Sequence, residues 1–328
     1  MTYDFYPIKT NDDTISLYNF GVGDVYHSKV GAYTEALHKY VIPSGLIEFV
    51  KENNTVRILD VCYGLGYNSR TAVNEILKIN PEIKIHVTAL EIDPVVLAFS
   101  AIVGCECFEK QINDLFFDAI NEHVNVQEII NSYIEKTSQI LPQIRKLIPK
   151  EYDLIPQEEI NAKLHNIYYR SISTRISIDF FISDARVSLK NINESFDFVF
   201  FDPFTPAKVP NLWTVEIFKL LYNLLDENGN LTTYSNSSPV RAGIIEAGFY
   251  IGQTTPVGKK STGTIAYKKP ELVKNQLSEK ESGILKTTAG IPYRDENFSS
   301  SIEEILERRE IEKQKSGRMS SSRFLKNF

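Results

Sequence analysis

Ser195-Phe-Asp-Phe-Val-Phe-Phe-Asp-Pro-Phe-Thr-Pro-Ala-Lys208 is the stretch that decides the fold. Phe198 to Phe201 is an unbroken apolar run, as expected of a parallel strand covered on both faces. Pro203 has no amide hydrogen for a strand ladder, so the strand is expected to stop at Asp202. That puts a carboxylate at the carboxyl end of a central strand, where open α/β sheets take their ligands. A cap on the following turn is the other role open to Asp202 on these residues alone.

Upstream, Val56 to Val61 is a short β-rich run containing Asp60. Cys62-Tyr-Gly64-Leu-Gly66-Tyr-Asn68 follows, then a helical stretch from Ser69 to Lys78. Strand, glycine turn and helix make a nucleotide-binding unit, because glycine lets backbone approach a ligand. The spacing lacks a full G-x-G-x-x-G and suits a nucleoside with an amino-acid tail better than a dinucleotide. A second strand, Ile83 to Leu90, ends in Glu91-Ile-Asp93-Pro94. Glu91 suits two ribose hydroxyls, since a carboxylate accepts from both. Asp93 reads as the N-cap of a proline-led helix, Val95 to Val103. Ile176 to Ile182 is a third strand, followed by Asp184. That residue is open to two roles: accepting from an adenine amine, or N-capping a helix from Ala185 to Leu189.

Downstream of the deciding stretch, Leu212 to Leu225 is helical, with Trp213 as a core anchor. Asp226 to Asn230 reads as a turn and Leu231 to Tyr234 as a strand. A helix from Ser238 to Ala247 precedes an antiparallel pair, Gly248 to Gln253 and Gly263 to Tyr267. The fold class is therefore α/β: a Rossmann-like, mostly parallel sheet of about seven strands with an antiparallel edge hairpin. A helical insertion, about 104–170, follows the second strand; lid and plain packing are both open to it. Residues 1–52 form an arm with helices, 53–268 the main domain, and 269–328 a charged, partly flexible extension. Residues 1–20 suit a small strand pair or a packed arm. Gly21 to Ala32 is a loop, a helix runs from Thr34 to Tyr40, and His27 and Glu35 read as solvated caps where the two meet.

The chain has 328 residues, of which 42% are hydrophobic, enough for a sizeable core. Its net charge of -6 excludes a protein basic all over but leaves room for a local basic patch. Lys313, Lys315, Arg318, Arg323 and Lys326 supply one, with no acid among them, as either a solvating tail or an arm for phosphate. Three cysteines, Cys62, Cys105 and Cys107, make no disulfide framework and fit a reducing cytosol. Cys105-Glu-Cys107 has no partner pair at finger spacing, so no metal is expected. Asp4, Asp12 and Asp13 argue against a signal peptide, and no apolar run approaches ~20 residues, so no membrane span is expected.

Gly64-x-Gly66, Glu91, Asp184 and Asp202 thus follow four successive strands of one expected sheet. Together they match the layout of a class I S-adenosylmethionine methyltransferase. Methyl transfer from a sulfonium is an in-line displacement. It needs the acceptor lone pair held at roughly 3 Å from the methyl carbon. Asp202-Pro203-Phe204 partly resembles the Asp/Asn-Pro-Pro-Tyr/Phe motif of amine-methylating enzymes, without the second proline. A carboxylate there can hold an ammonium and help it lose a proton, with Phe204 flanking it.

The stretch from Phe201 to Thr214 also resembles the signature F-x-D-x-F-x-P-A-K-x-P-x-M/L-W-T. Gly229-Asn-Leu-Thr-Thr-Tyr-Ser, Val240 to Phe249, Asp24-Val-Tyr-His-Ser28 and Thr34-Glu35-Ala36 match beside it. On these residues, covering roughly 20–268, the chain resembles the bacterial tRNA 5-methylaminomethyl-2-thiouridine methyltransferases, the methyltransferase half of MnmC. The resemblance implies methyl transfer from S-adenosylmethionine to the 5-aminomethyl amine of the wobble uridine, in the tRNA anticodon loop. It implies a cytoplasmic, monomeric, stand-alone form without the oxidase domain. The implied catalytic residues are Asp202, Phe204 and Lys208. The implied cofactor residues are Tyr26, Ser28, Glu35, Asp60, Gly64, Gly66, Asn68, Glu91, Asp184 and Asp202. One departure is Cys62, where the family pattern E-x-G-x-G-x-G carries glycine. The rivals are a polyamine aminopropyltransferase, which predicts a Gly-Gly-Gly-Asp-Gly turn and paired acids, and a non-catalytic RNA-binding protein on this fold, which predicts loss of Asp202 or the glycines. None of these features occurs. The short glycine turn disfavours a dehydrogenase.

Overall fold

The computed structural model of the chain describes residues 4–103, 107–165, 175–254 and 262–328. Cys105 and the two ends of the inserted block lie outside them. The strands are β1 (Phe5–Lys9), β2 (Ile15–Asn19), β3 (Asp24–Val25), β4 (Thr55–Val61), β5 (Lys84–Glu91), β6 (Asp153–Leu154), β7 (Ile176–Ile182), β8 (Phe196–Phe201), β9 (Leu225–Thr233), β10 (Tyr250–Gln253) and β11 (Thr264–Tyr267). Seven of them form the expected mostly parallel sheet, in the order β10-β11-β9-β8-β4-β5-β7. The strand order reverses at β4 and β8, the switch point where such sheets bind ligands. The chain divides into two compact units, 1–56 with 62–183, and 57–61 with 184–328.

In the first unit, β5 and β7 pair in parallel from Ile85 opposite Ile176 to Glu91 opposite Ile182. A second sheet has the order β3-β2-β1-β6, so residues 5–19 form the strand pair. The inserted block supplies β6 to this sheet, and Tyr6 Oη donates to the Ile155 carbonyl at 3.1 Å. Its helices include Lys110–Asn121, Val126–Ser138, Leu141–Leu147 and Gln157–His165. Tyr133, fully buried, meets Phe99 edge-on at 4.6 Å and donates to the Phe5 carbonyl at 3.0 Å. Of the two roles open to the block, packing is the one these contacts show. Asp93 accepts from the Val95 amide at 2.8 Å and caps the helix Pro94–Ile102, as expected. Cys107 is disulfide-bonded, which corrects the reading of three thiols.

In the second unit, β8 pairs in parallel with β4 and β9. Phe198, Val199, Phe200 and Phe201 are all buried, as the apolar run requires. β11 joins β9 antiparallel, and β10 joins β11. Residues 226–230, expected as a turn, lie inside β9 instead. The register jumps from Phe196–Leu225 to Phe198–Asn230, so pairing with β8 absorbs the extra residues as a bulge. Gly229 is required there, since a Cβ would come 2.6 Å from the Asp197 carbonyl oxygen. Residues 269–328 fold onto this unit. Ser278 and Ser301 form capping boxes for the helices Glu279–Leu285 and Ile302–Lys315. Phe324, on the helix Ser321–Asn327, sits where a Gly283 Cβ would be, 2.1 Å from its Cζ.

Candidate active site

In the first unit the glycine turn carries three consecutive left-handed alternations: φ is 67° at Cys62, 56° at Gly64 and 74° at Gly66. Left-handed backbone costs a non-glycine residue about 1–2 kcal/mol. The conformation at Cys62 is therefore one that glycine adopts freely, in keeping with the glycine of the family pattern. The turn is anchored by the Tyr63 amide on the Leu90 carbonyl at 2.9 Å, and by the Gly64 amide on Glu91 Oε2 at 2.8 Å. The Tyr26 ring lies over Gly64, and an added Cβ there would meet it at 3.2 Å. Tyr26, Gly64 and Glu91 are thus brought together. The helix Tyr67–Ile79 starts directly at Gly66, with Asn68 buried in its first turn.

Glu91 is nearly buried, and its other oxygen accepts from the Ile92 and Asp93 amides at 2.9 and 3.0 Å. Burial pushes its carboxyl up to about 7, against these backbone bonds. Burial and then the charge of Glu91 push the Tyr26 phenol well above its ordinary value. The backbone of Gly64 and Gly66 thus lies beside the buried Glu91 carboxylate, where a Cβ at either glycine would meet a tyrosine side chain. Those are the properties a nucleoside with an amino-acid tail needs, so the residues present fit the cofactor.

Ser28 and Glu35 also meet: Glu35 accepts from the Ser28 amide at 3.1 Å, from its hydroxyl at 2.6 Å and from Lys39 Nζ at 2.7 Å. Burial alone would raise the Glu35 carboxyl, but Lys39 and Ser28 hold it below its ordinary value. Burial pushes His27 down to about 4. Its ring lies edge-on to Tyr67 at 5.1 Å. Neither residue is the solvated cap expected. The physical reason is that the loop continues along β2, with the Tyr26 amide on the Leu17 carbonyl at 2.9 Å and the His27 amide on Ser16 Oγ at 2.9 Å. That carries 26–28 inward.

In the second unit, the Asp202 amide donates to the Val61 carbonyl at 3.1 Å, extending the β4/β8 ladder one residue past β8. Asp60 is fully buried on β4, opposite Phe200. The next two carbonyls are held by side chains. Tyr234 Oη donates to Pro203 O at 2.9 Å, and Trp213 Nε1 donates to Phe204 O at 2.9 Å. Trp213 is fully buried, edge-on to Phe201 at 5.0 Å and to Tyr234 at 5.9 Å. It is the core anchor expected, and it also fixes the loop, which residue type alone did not show. The signal was present: an indole N–H only donates, and a proline-broken loop needs donors for its carbonyls. Asp202 and Phe204 are half-buried, and Lys208 is exposed four residues further on.

Asp184 N-caps the helix Ala185–Asn191, accepting from the Arg186 amide at 2.8 Å. Of its two possible roles, the cap is present. Its carboxylate also meets Arg186 Nε at 3.1 Å and Nη2 at 2.8 Å. Burial opposes ionisation, but these Arg186 contacts hold the carboxyl below its usual range. Among the described residues, no three His, Cys, Asp or Glu side chains are grouped to hold a metal ion, and no helix is long and apolar enough to cross a membrane.

A family model described as S-adenosyl-L-methionine-dependent methyltransferase matches residues 142–269. An uncharacterised protein of Methanocaldococcus jannaschii is 27% identical over 310 residues, covering 94% of this chain and 72% of that protein. The tRNA 5-methylaminomethyl-2-thiouridine biosynthesis bifunctional protein MnmC of Burkholderia multivorans is 25% identical over 230 residues, 69% of this chain. The chain spans 29% of that protein's length. The crystal structure of MnmC2 from Aquifex aeolicus superposes with a TM-score of 0.67 at 26% identity, covering 95% of this chain and 86% of the other. The chain is thus a homologue of the methyltransferase part of MnmC, with the fold and the cofactor, S-adenosylmethionine, of the S-adenosylmethionine-dependent methyltransferases.

Proposed function

We propose that the chain methylates the 5-aminomethyl amine of the wobble uridine of tRNA, in the cytoplasm, as a monomer. The observation that carries this reading is the Asp202-Pro203-Phe204 loop at the switch point, anchored through three consecutive backbone groups. The names of the MnmC relatives support the choice of substrate. S-adenosylmethionine supplies an electrophilic methyl on a sulfonium. Gly64 and Gly66 would admit its methionine tail, and Glu91 would accept from its ribose hydroxyls. Asp184 has the carboxylate for the adenine amine. Tyr26, Ser28, Glu35, Asp60 and Asn68 complete the candidate set.

A primary alkylamine is mostly protonated at pH 7, with a pKa of roughly 10. The Asp202 carboxylate holds the ammonium and takes its proton, directly or through water. With S-adenosylmethionine bound, the nitrogen lone pair freed by Asp202 would form the N–C bond as the methyl's C–S bond broke, its electron pair staying on sulfur. A fixed loop matters because misplacing the acceptor by 1 Å can cost about 10²-fold. Phe204 flanks the acceptor, and Lys208 lies exposed on the same loop. The test is labelled S-adenosylmethionine with tRNA lacking this modification, followed by nucleoside analysis. Label is expected only in the wobble nucleoside, and Asp202→Ala is expected to lower turnover at least ~10²-fold with cofactor affinity within a few-fold. Label in another nucleoside, or full turnover by Asp202→Ala, would overturn the reading.

A further inference from the structure

We propose that Arg186 and Asp295 form a tie by which the C-terminal extension orients the Asp184 carboxylate toward the cofactor's adenine amine. The inference rests on the reading of Asp184 as the acceptor for that amine. Arg186 reaches two ways. Its Nε and Nη2 edge faces Asp184, at 3.1 and 2.8 Å from Oδ2. Its Nη1 faces Asp295 Oδ2 at 3.3 Å and the Ser300 carbonyl at 3.3 Å. Asp295 is fully buried, and its Oδ1 accepts from the Ser299 and Ser300 amides at 3.1 and 3.0 Å. Its own amide donates to Glu216 Oε2 at 2.8 Å. Residue 295 is therefore fixed from four directions.

A guanidinium is planar, with its donors in a rigid fork. Asp295 and Ser300 set the plane of Arg186, and that plane sets the plane of Asp184. The geometry also leaves room for a ligand. An ionised carboxylate offers about four lone-pair sites. Three hydrogens already point at Asp184, from the Arg186 amide, Nε and Nη2. One acceptor site remains, and an exocyclic amine needs one. Asp184 stays ionised for it because Arg186 favours the charged form. Arg186 and Asp295 are thus positioning residues, not catalytic ones, and the second of them lies beyond the span of the family match.

The test compares binding of S-adenosylhomocysteine with that of S-inosylhomocysteine, in which a carbonyl replaces the amine. General loosening of the fold moves both affinities together, whereas a misoriented Asp184 narrows their ratio. Asp295→Asn keeps an oxygen for the two amides and loses the charge; Arg186→Lys keeps the charge and loses the fork. Each is expected to narrow the ratio about 3- to 10-fold, the range of a weakened charge-assisted hydrogen bond. Asp184→Ala is the reference and is expected to narrow it at least as far. If Asp184→Ala narrows the ratio and neither other variant does, the tie is wrong and the adenine reading stands. If Asp184→Ala leaves the ratio unchanged, the adenine reading is wrong and the tie falls with it.

Discussion

Glu91→Gln removes an ionisable group that the fold holds near neutrality. The carboxyl stands at about 7 in the folded chain, against 4.5 for an ordinary glutamate. The sign follows from comparing the two states. Below 4.5 the group is protonated in both, and its contribution to stability is fully present. As pH rises toward 7 the unfolded chain ionises freely while the folded chain must hold a proton or bury a charge. That contribution is lost as pH passes through 7. The shift corresponds to roughly 2–3 kcal/mol of stability lost between pH 5 and pH 8. Glutamine cannot ionise, so the variant lacks this slope. It has a separate, pH-independent penalty of about 1–3 kcal/mol, because with its oxygen on the Ile92 and Asp93 amides its NH2 faces the Gly64 N–H, donor against donor. Denaturant unfolding of both proteins, followed by circular dichroism at pH 5, 6, 7 and 8, separates the two effects. The difference between variant and wild type is expected to move by roughly 2–3 kcal/mol in the variant's favour across that range. A difference independent of pH would refute the burial argument. S-adenosylhomocysteine affinity gives a second reading: ribose hydroxyls donate best to the ionised form, so affinity is expected to rise with pH through 7 in the wild type and stay flat in the variant.

The remaining predictions are independent of that one. Cys62→Gly relieves a left-handed cysteine, and Cys62→Val puts a branched side chain there; the valine variant is expected to unfold about 1–2 kcal/mol more easily than the glycine variant by denaturant titration. Equal stability would mean that residue 62 is not left-handed. Tyr234→Phe removes the hydroxyl that donates to the Pro203 carbonyl; kcat is expected to fall about tenfold, with S-adenosylmethionine KM nearly unchanged. A change in KM alone would place Tyr234 outside the acceptor loop's support. Deleting the last residues would strip Phe324 from Gly283, so the basic patch is better tested by converting Lys315, Arg318, Arg323 and Lys326 to glutamine. If they touch phosphate, tRNA affinity drops and the slope of log affinity against log salt flattens by up to about 3. An unchanged slope leaves them as solvating charges.

The local signals were strong in particular places. The Phe198–Phe201 run, broken by Pro203, fixes a doubly buried strand and puts Asp202 at its end, since proline cannot continue the ladder. Asp93 before Pro94 specifies a helix start by the same kind of local chemistry. The glycine turn and Glu91 were legible as a pair because strand, turn and acid recur at a spacing that only a βα unit explains. By contrast, the turn expected at 226–230 became a bulge, because β8 offered a ladder that local preference cannot foresee.

What the amino-acid sequence determined alone was therefore the order of elements, the candidate acids and the sheet class, all set by interactions over a few residues. Only the tertiary structure decided that Tyr234 and Trp213 hold the Asp202 loop, that His27 is half-buried and Glu35 buried, and that Asp295 reaches Arg186. Residues 186 and 295 are far apart in the chain, and hydrogen bonds depend on distance in space, which no spacing along the chain encodes.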